Sequence, residues 1–199
     1  MNAVAAKLLE LEAPGHHDQA PAQIAGLVDR LERKTGYRPE HTVAVGHLAL
    51  TMAAALNLEA ADCRRIELGA LLHDVGKLSI PDRVLNKPGP LNEIEWAAMR
   101  RHTAAGVSLL MRLLDLPDVL EVVRSHHERW DGQGYPDGLV GEQIPLAARI
   151  VAVADAYHAM TEPRPYRESR SGAAALAEIV SESGRQFDPA CVEALQAVV

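Results

Sequence analysis

The sequence predicts an all-α fold, and three observations carry that expectation. Hydrophobic residues make up 48% of the chain but aromatics only 4%, so Ala, Leu and Val supply the apolar volume, which suits close-packed helices better than an aromatic-rich sandwich. Apolar positions recur at helical spacing in one segment after another. The prolines and glycines that break regular structure gather between those segments.

A chain of 199 residues is long enough for one compact domain with a short appendage. The expected division is a helical extension over residues 1–38 and the main domain over residues 39–199. In the extension, residues 2–12 read as a short helix ended by Pro14-Gly15, with His16 and His17 in a solvated loop. Ile24, Leu27, Val28 and Leu31 then mark a second helix to about Lys34, which packs on the main domain.

The main domain opens with a helix from Pro39 to about Leu56, carrying Val43, Val45, Leu48, Leu50 and Met52, with His41 in its first turn and His47 directed elsewhere. The next helix, from about Glu59 to Asp74, presents Ile66, Leu68, Leu71 and Leu72 and is nearly apolar at its end, as a buried helix would be. That end delivers His73 and Asp74 side by side, followed by Gly76 as a C-terminal cap and by Lys77. From Ser79 to Pro90 the breakers Pro81, Pro88, Gly89 and Pro90 imply a loop over the core. Asn92 and Glu95 form a capping pair for a helix that runs through Trp96, Met99 and His102 as far as Asp115.

Pro117 suits the first turn of another helix, ending at Ser125-His126-His127-Glu128. Glycines at 132, 134, 138 and 141 make the stretch from Trp130 to Gly141 an irregular loop. The helix from Pro145 to Met160 sets the apolar run Ile150–Ala154 directly before Asp155, whose carboxylate, if buried, needs a partner such as a metal. Two closing helices start at about Ser171 and at Asp188-Pro189.

A formal net charge of −7 argues against a nucleic acid polymer as partner, because backbone binding needs clustered cations. A small phosphate ligand is still compatible, since Lys77, Arg83, Lys87, Arg100, Arg101, Arg164 and Arg167 flank the His and Asp positions. Two cysteines, Cys63 and Cys191, make no disulfide framework, and a reducing cytoplasm is the simpler location. Residues 1–12 lack the pattern of a signal peptide, and no stretch approaches the roughly 20 apolar residues of a membrane span.

His41, His73, Asp74, His102, His126, His127 and Asp155 are all expected at or near helix ends, where they could converge. A set of nitrogen and oxygen donors without thiolate disfavours a closed structural zinc site and suits iron, manganese or a similar divalent ion. Seven donors are too many for one ion, whereas two ions bridged by Asp74 and a water would pair a nucleophile with a Lewis acid, as attack on a phosphodiester needs. The bland alternative is a set of scattered helix-end histidines, with Asp74 a capping residue beside a packed His73.

The order of these motifs resembles a known family. His41-Thr42, His73-Asp74-Val-Gly-Lys77, Ile80-Pro-Asp82, Leu85-Asn-Lys-Pro-Gly89, Arg101-His102, His126-His127-Glu-Arg-Trp-Asp-Gly-Gln-Gly134-Tyr135-Pro136, Ile144-Pro145, Ala152-Val-Ala-Asp155 and Arg164-Pro-Tyr-Arg167 look like the HD-GYP domain, from about His41 to the end of the chain. That family is a branch of the HD superfamily of metal-dependent phosphohydrolases found in bacterial second-messenger signalling. The resemblance implies a helical bundle with a metal site in its core and a phosphodiesterase that hydrolyses cyclic di-GMP to pGpG or GMP by attack of a metal-bridging hydroxide. It implies that His41, His73, Asp74, His102, His126, His127 and Asp155 hold two divalent transition-metal ions, iron or manganese, with Asp74 bridging. Lys77 would steady the scissile phosphate or the leaving oxygen, Gly134, Tyr135 and Pro136 would form the loop facing the substrate, and Arg164 and Arg167 would meet its phosphates. It also admits a diguanylate-cyclase-domain partner and a homodimer.

Two positions depart from the pattern: Tyr37 stands where some members have a Glu that helps hold a third ion, and His158 where a second Asp often follows Asp155. Two ions are therefore expected rather than three. The competing functions are a catalytically silent cyclic di-GMP receptor or protein-interaction module, and an HD phosphohydrolase acting on another cyclic dinucleotide or nucleotide.

Overall fold

The computed structural model describes residues 20–35, 39–162 and 169–199, and within them every regular element is helical. The expected helix over residues 2–12, His16, His17, Tyr37, Arg164 and Arg167 lie outside the described residues. Among the described residues ten α-helices follow one another: α1 (Ala20–Thr35), α2 (Pro39–Ala55), α3 (Ala60–Leu72), α4 (Asp82–Leu85), α5 (Glu93–Arg100), α6 (His102–Leu110), α7 (Pro117–Ser125), α8 (Leu146–Thr161), α9 (Gly172–Ser181) and α10 (Pro189–Val198). Short 3-10 turns occupy Val75–Ser79 and Gly141–Gln143, and extended pairing among the described residues is limited to two isolated bridges, Asp131 with Val140 and Ser183 with Phe187.

Helix α3 is the axis of the fold because its sequence is apolar on more than one side. Cys63, Ile66 and Ala70 join Val45, Met52, Ile150, Val153 and Leu195 in one core, while Leu68, Leu71 and Leu72 join Ile24, Val28, Leu110, Val119 and Val123 in another. The first core is built between α2, α3, α8 and α10, the second between α1, α3, α6 and α7. Both cysteines are buried and free. No helix among the described residues is long and apolar enough to cross a membrane.

Local signals in the sequence set several of the boundaries. Asn92 accepts from Glu95 N at 2.9 Å while the Glu95 carboxylate accepts from Asn92 N at 2.8 Å, a complete capping box opening α5. Ser171 and Asp188 cap α9 and α10 by accepting from Ala174 N and Ala190 N.

The structure corrects other expectations. The stretch from Ser79 to Pro90 is not all loop: Pro81 opens the single turn of α4, and Val84 buries itself in the process. The helix expected from Asn92 to Asp115 breaks at Arg101, where His102 Nδ1 and Thr103 Oγ1 bond the carbonyls of Met99 and Arg100 and compete with the backbone ladder. It resumes as α6, which ends at Leu110. Gly76 does not cap α3; it sits within the 3-10 turn, where its missing side chain lets the backbone press against His102.

Candidate metal centre

The breaks at the ends of α3, α5 and α7 turn histidines inward from different directions. His73 is the C-cap of α3, His102 the first residue of α6, His126 the C-cap of α7 with His127 beside it, and His41 stands in the first turn of α2. Asp155 departs from the expected pattern: it lies in the middle of α8 and its side chain is 26% exposed, because this stretch of the helix borders an open cavity rather than the core.

The carboxylate of Asp74 divides the set in two. Its Oδ1 lies 3.6 Å from His102 Nε2 and 3.9 Å from His126 Nε2, and the ligand atoms of Asp74, His102, His126 and His127 all fall within 4.8 Å of one another. Its Oδ2 lies 3.5 Å from His73 Nε2, which is 3.9 Å from Asp155 Oδ1, itself 3.8 Å from His41 Nε2. Lys77 Nζ also meets Asp74 Oδ2, at 2.5 Å.

Hydrogen bonds on the far side of the rings settle which nitrogen faces inward. Nδ1 of His73, His102 and His126 lies 2.5, 2.8 and 3.0 Å from the carbonyls of Ala70, Met99 and Val123. A carbonyl can only accept, so in each neutral ring Nδ1 carries the proton and Nε2 presents a lone pair to the site. Two such lone pairs, on His102 and His126, stand 3.4 Å apart. Among the described residues, His73 Nε2 and Asp74 Oδ1 are buried with no hydrogen-bond partner. Buried polar atoms left this way are costly, and facing lone pairs repel, so the donor set fits cations lodged between its members.

The charge balance points the same way at four of the five rings. Burial works against a charge on Asp74, yet Lys77 and His73 hold its carboxyl well below the usual range. Burial keeps His41, His102 and His126 below the ordinary imidazole value against the pull of the neighbouring carboxylates, and lowers His127 to about 3. For His73 burial has the same sense, but Asp74 and Asp155 outweigh it and raise the ring to about 9.

A cavity of about 330 Å³ opens beside this set, lined by His126, His127 and Asp155 on its floor and by Trp96, Arg100, Gly134 and Tyr135 among others. The Tyr135 ring stacks on His127 with centroids 4.8 Å apart, and the Arg100 guanidinium lies 5.5 Å from the Tyr135 centroid. Burial pushes the Tyr135 phenol up, so it stays neutral. The loop is pinned by Glu128, whose buried carboxylate accepts from the backbone of Asp137, Gly138 and Leu139 at 2.7, 3.1 and 3.1 Å. Gly134 is pressed so close that a Cβ there would stand 2.3 Å from Arg129 N. Glu128→Gln turns one acceptor into a donor against these amides and is expected to cost about 2–3 kcal/mol, read as a lower melting temperature.

Residues 7–191 match the HD domain family. The chain belongs to that family. It is 47% identical over 176 residues to the cyclic di-GMP phosphodiesterase response regulator RpfG of Xanthomonas campestris pv. campestris, an alignment covering 84% of this chain and 46% of that protein. It is 36% identical over 176 residues to 3′3′-cGAMP-specific phosphodiesterase 2 of Vibrio cholerae, covering 86% of this chain and 33% of that one. Among solved structures, a cyclic GMP-AMP-specific phosphodiesterase of Vibrio cholerae shares the fold with a TM-score of 0.71 at 23% identity, over 88% of this chain and 47% of that chain. The chain thus spans less than half the length of these relatives. Membership in the HD family agrees with the resemblance to its HD-GYP branch read from the motifs.

All seven predicted donors converge in this HD domain, with Lys77 among them and Tyr135 and Gly134 on the cavity wall. Pro136, in contrast, is exposed and does not line the cavity. Of the flanking cations, Lys87 is held by Glu95 at 2.6 Å, whereas Lys77 meets Asp74 and Arg100 lines the cavity. The structure adds Glu162, whose Oε2 lies 2.9 Å from His41 Nδ1. Its signal was present as spacing: Asp155 and His158 stand at i and i+3 on α8, and Glu162, the C-cap just past the helix, follows at i+7.

Proposed function

We propose that this chain is a divalent-metal-dependent phosphodiesterase that hydrolyses cyclic di-GMP to linear pGpG, GMP or both. The observation that carries this reading is the division of Asp74, whose two oxygens face two separate groups of inward-turned donors. Asp74 Oδ2 with His41, His73 and Asp155 would hold one ion, and Asp74 Oδ1 with His102, His126 and His127 the other, iron or manganese by the chemistry of the donors. When bound, such ions supply Lewis acidity toward a phosphoryl oxygen and a water acidic enough to attack at neutral pH.

The chain's own groups supply the rest. The cavity beside His126, His127 and Asp155 receives the phosphodiester, and Tyr135 with Arg100 forms a wall that excludes water and meets negative charge. Hydrolysis forms a bond from water oxygen to phosphorus and breaks the bond from phosphorus to the ribose 3′-oxygen, which leaves with a proton. Lys77, a cation 2.5 Å from Asp74, stands where it can offset the charge developing on the phosphate or on that oxygen. Arg164 and Arg167 keep the phosphate contacts that the resemblance implies, and a diguanylate-cyclase-domain partner, homodimer formation and a cytoplasmic location belong to the same proposal.

Anaerobic incubation of the protein with cyclic di-GMP in iron(II) or manganese(II), with products followed by chromatography, tests it. Conversion to pGpG or GMP is expected. Bound but uncleaved ligand on a chain holding two ions would point to a receptor. The relatives acting on 3′3′-cGAMP support a second reading, a different cyclic dinucleotide, and faster cleavage of that substrate in the same assay would favour it.

A further inference from the structure

The four histidines His41, His73, His102 and His126 differ in what holds their outer nitrogen. His73, His102 and His126 each give Nδ1–H to a carbonyl three residues earlier. For His41, in the first turn of α2, the residue at that spacing lies outside the described residues. At its Nδ1 the structure places the Glu162 carboxylate, 2.9 Å away, with His158 Nδ1 also at 2.9 Å and the His158 ring edge-on to His41.

His41, His158 and Glu162 are close enough to be taken for a third metal site, and the proton count decides against it. His41 Nε2 faces Asp155, in the donor group already assigned to one ion. An ion on Nδ1 as well would require the imidazole to give up both its protons, whereas a hydrogen bond requires the Nδ1 proton to be there. The side chains of His41 and Glu162 are 2% and 14% exposed, so that bond is sheltered from water.

We propose that Glu162 is a positioning residue for the metal centre: its carboxylate accepts the His41 Nδ1 proton, fixes the ring's tautomer and aims Nε2 at the ion held with His73 and Asp155. His158 shares the same proton from the side and completes the wall behind His41. The inference rests on the two-ion reading above. It assigns to the side chain that caps the C-terminus of α8 the work that backbone carbonyls do for the other three rings, and outer partners of this kind are worth about 10–100-fold in metal affinity.

Titration of the metal-free full chain with manganese(II), with free ion read by electron paramagnetic resonance, tests it without turnover. The wild type is expected to bind two ions. Glu162→Ala and Glu162→Asp, the latter too short to reach, are expected to lose about 10–100-fold in affinity at one site and to keep the other, whose retention also shows that the chain is folded. Glu162→Gln, which keeps an acceptor oxygen, is expected to stay within a few-fold of wild type. Unchanged affinity in the Ala and Asp variants overturns the proposal, as does a third ion in the wild type that these variants delete. A wild type that binds no manganese overturns the two-ion reading and this inference with it, while two ions bound equally well without Glu162 overturns this inference alone.

Discussion

Asp74→Ala is expected to reduce cyclic di-GMP hydrolysis by more than about 1,000-fold, since removing even a partner outside the ligand shell costs about 10–100-fold and Asp74 serves both donor groups. The variant loses the bridge between His102 and His126 on one side and His73 on the other, and it strips Lys77 of its carboxylate. A second readout separates this from misfolding. Each manganese ion at 1,000 times its dissociation constant stabilises the wild type by about 4 kcal/mol, or roughly 8–16 °C per ion in a domain of this size. In Asp74→Ala that metal-dependent increment is expected to vanish, while the metal-free variant melts as a cooperative unit, because deleting Asp74 Oδ1 also removes a buried oxygen with no hydrogen-bond partner. Near wild-type turnover, or a full metal-dependent shift, would remove Asp74 from the centre of the site.

How far the site could be read from the sequence depended on how local its causes are. Capping signals act within one turn, so Asn92, Pro117, Ser171 and Asp188 place their helices to within a residue or two. The glycines from 132 to 141 announce an irregular loop for equally local reasons: Gly132, Gly138 and Gly141 take up left-handed backbone. The break at Arg101 has no such signal, because it depends on side chains of His102 and Thr103 turning back to the preceding carbonyls. The grouping of the donors is equally non-local. The helix-end positions of seven His and Asp residues named the set but left open whether they ever meet, and the resemblance to a family implied that they do. Nothing in either assigned His102 and His126 to one oxygen of Asp74 and His73 to the other, since that follows from where α3, α6 and α7 cross. Glu162 escaped for a related reason: its spacing from Asp155 and His158 was legible, but what this end of α8 looks at was not.

Gly76→Ala is expected to be the most damaging small substitution in the protein, because the 3-10 turn carrying Gly76 and the start of α6 are packed backbone to backbone. A Cβ on Gly76 would stand 1.8 Å from the His102 carbonyl oxygen and 2.5 Å from Gly106 N. Neither neighbour is the end of a flexible side chain, so the methyl group can be admitted only by pushing the turn and α6 apart. Overpacking in a tight interior costs about 1–3 kcal/mol and occasionally more; a clash with two backbone groups belongs at or above the upper figure. About 3 kcal/mol corresponds to a loss of roughly 6–12 °C in melting temperature for a chain of this length. Gly26→Ala is the control, a mid-helix glycine in α1 with no atom within 4 Å of the added Cβ, where the gain in helix propensity is expected to stabilise by about 0.5–1 kcal/mol. The damage at Gly76 should also reach the chemistry. Its chain neighbour Lys77 bonds Asp74, and the backbone it displaces belongs to His102, so turnover and manganese affinity should fall along with stability. A variant that melts early but binds two manganese ions as tightly as wild type would mean that the turn supports the fold without setting the donor geometry.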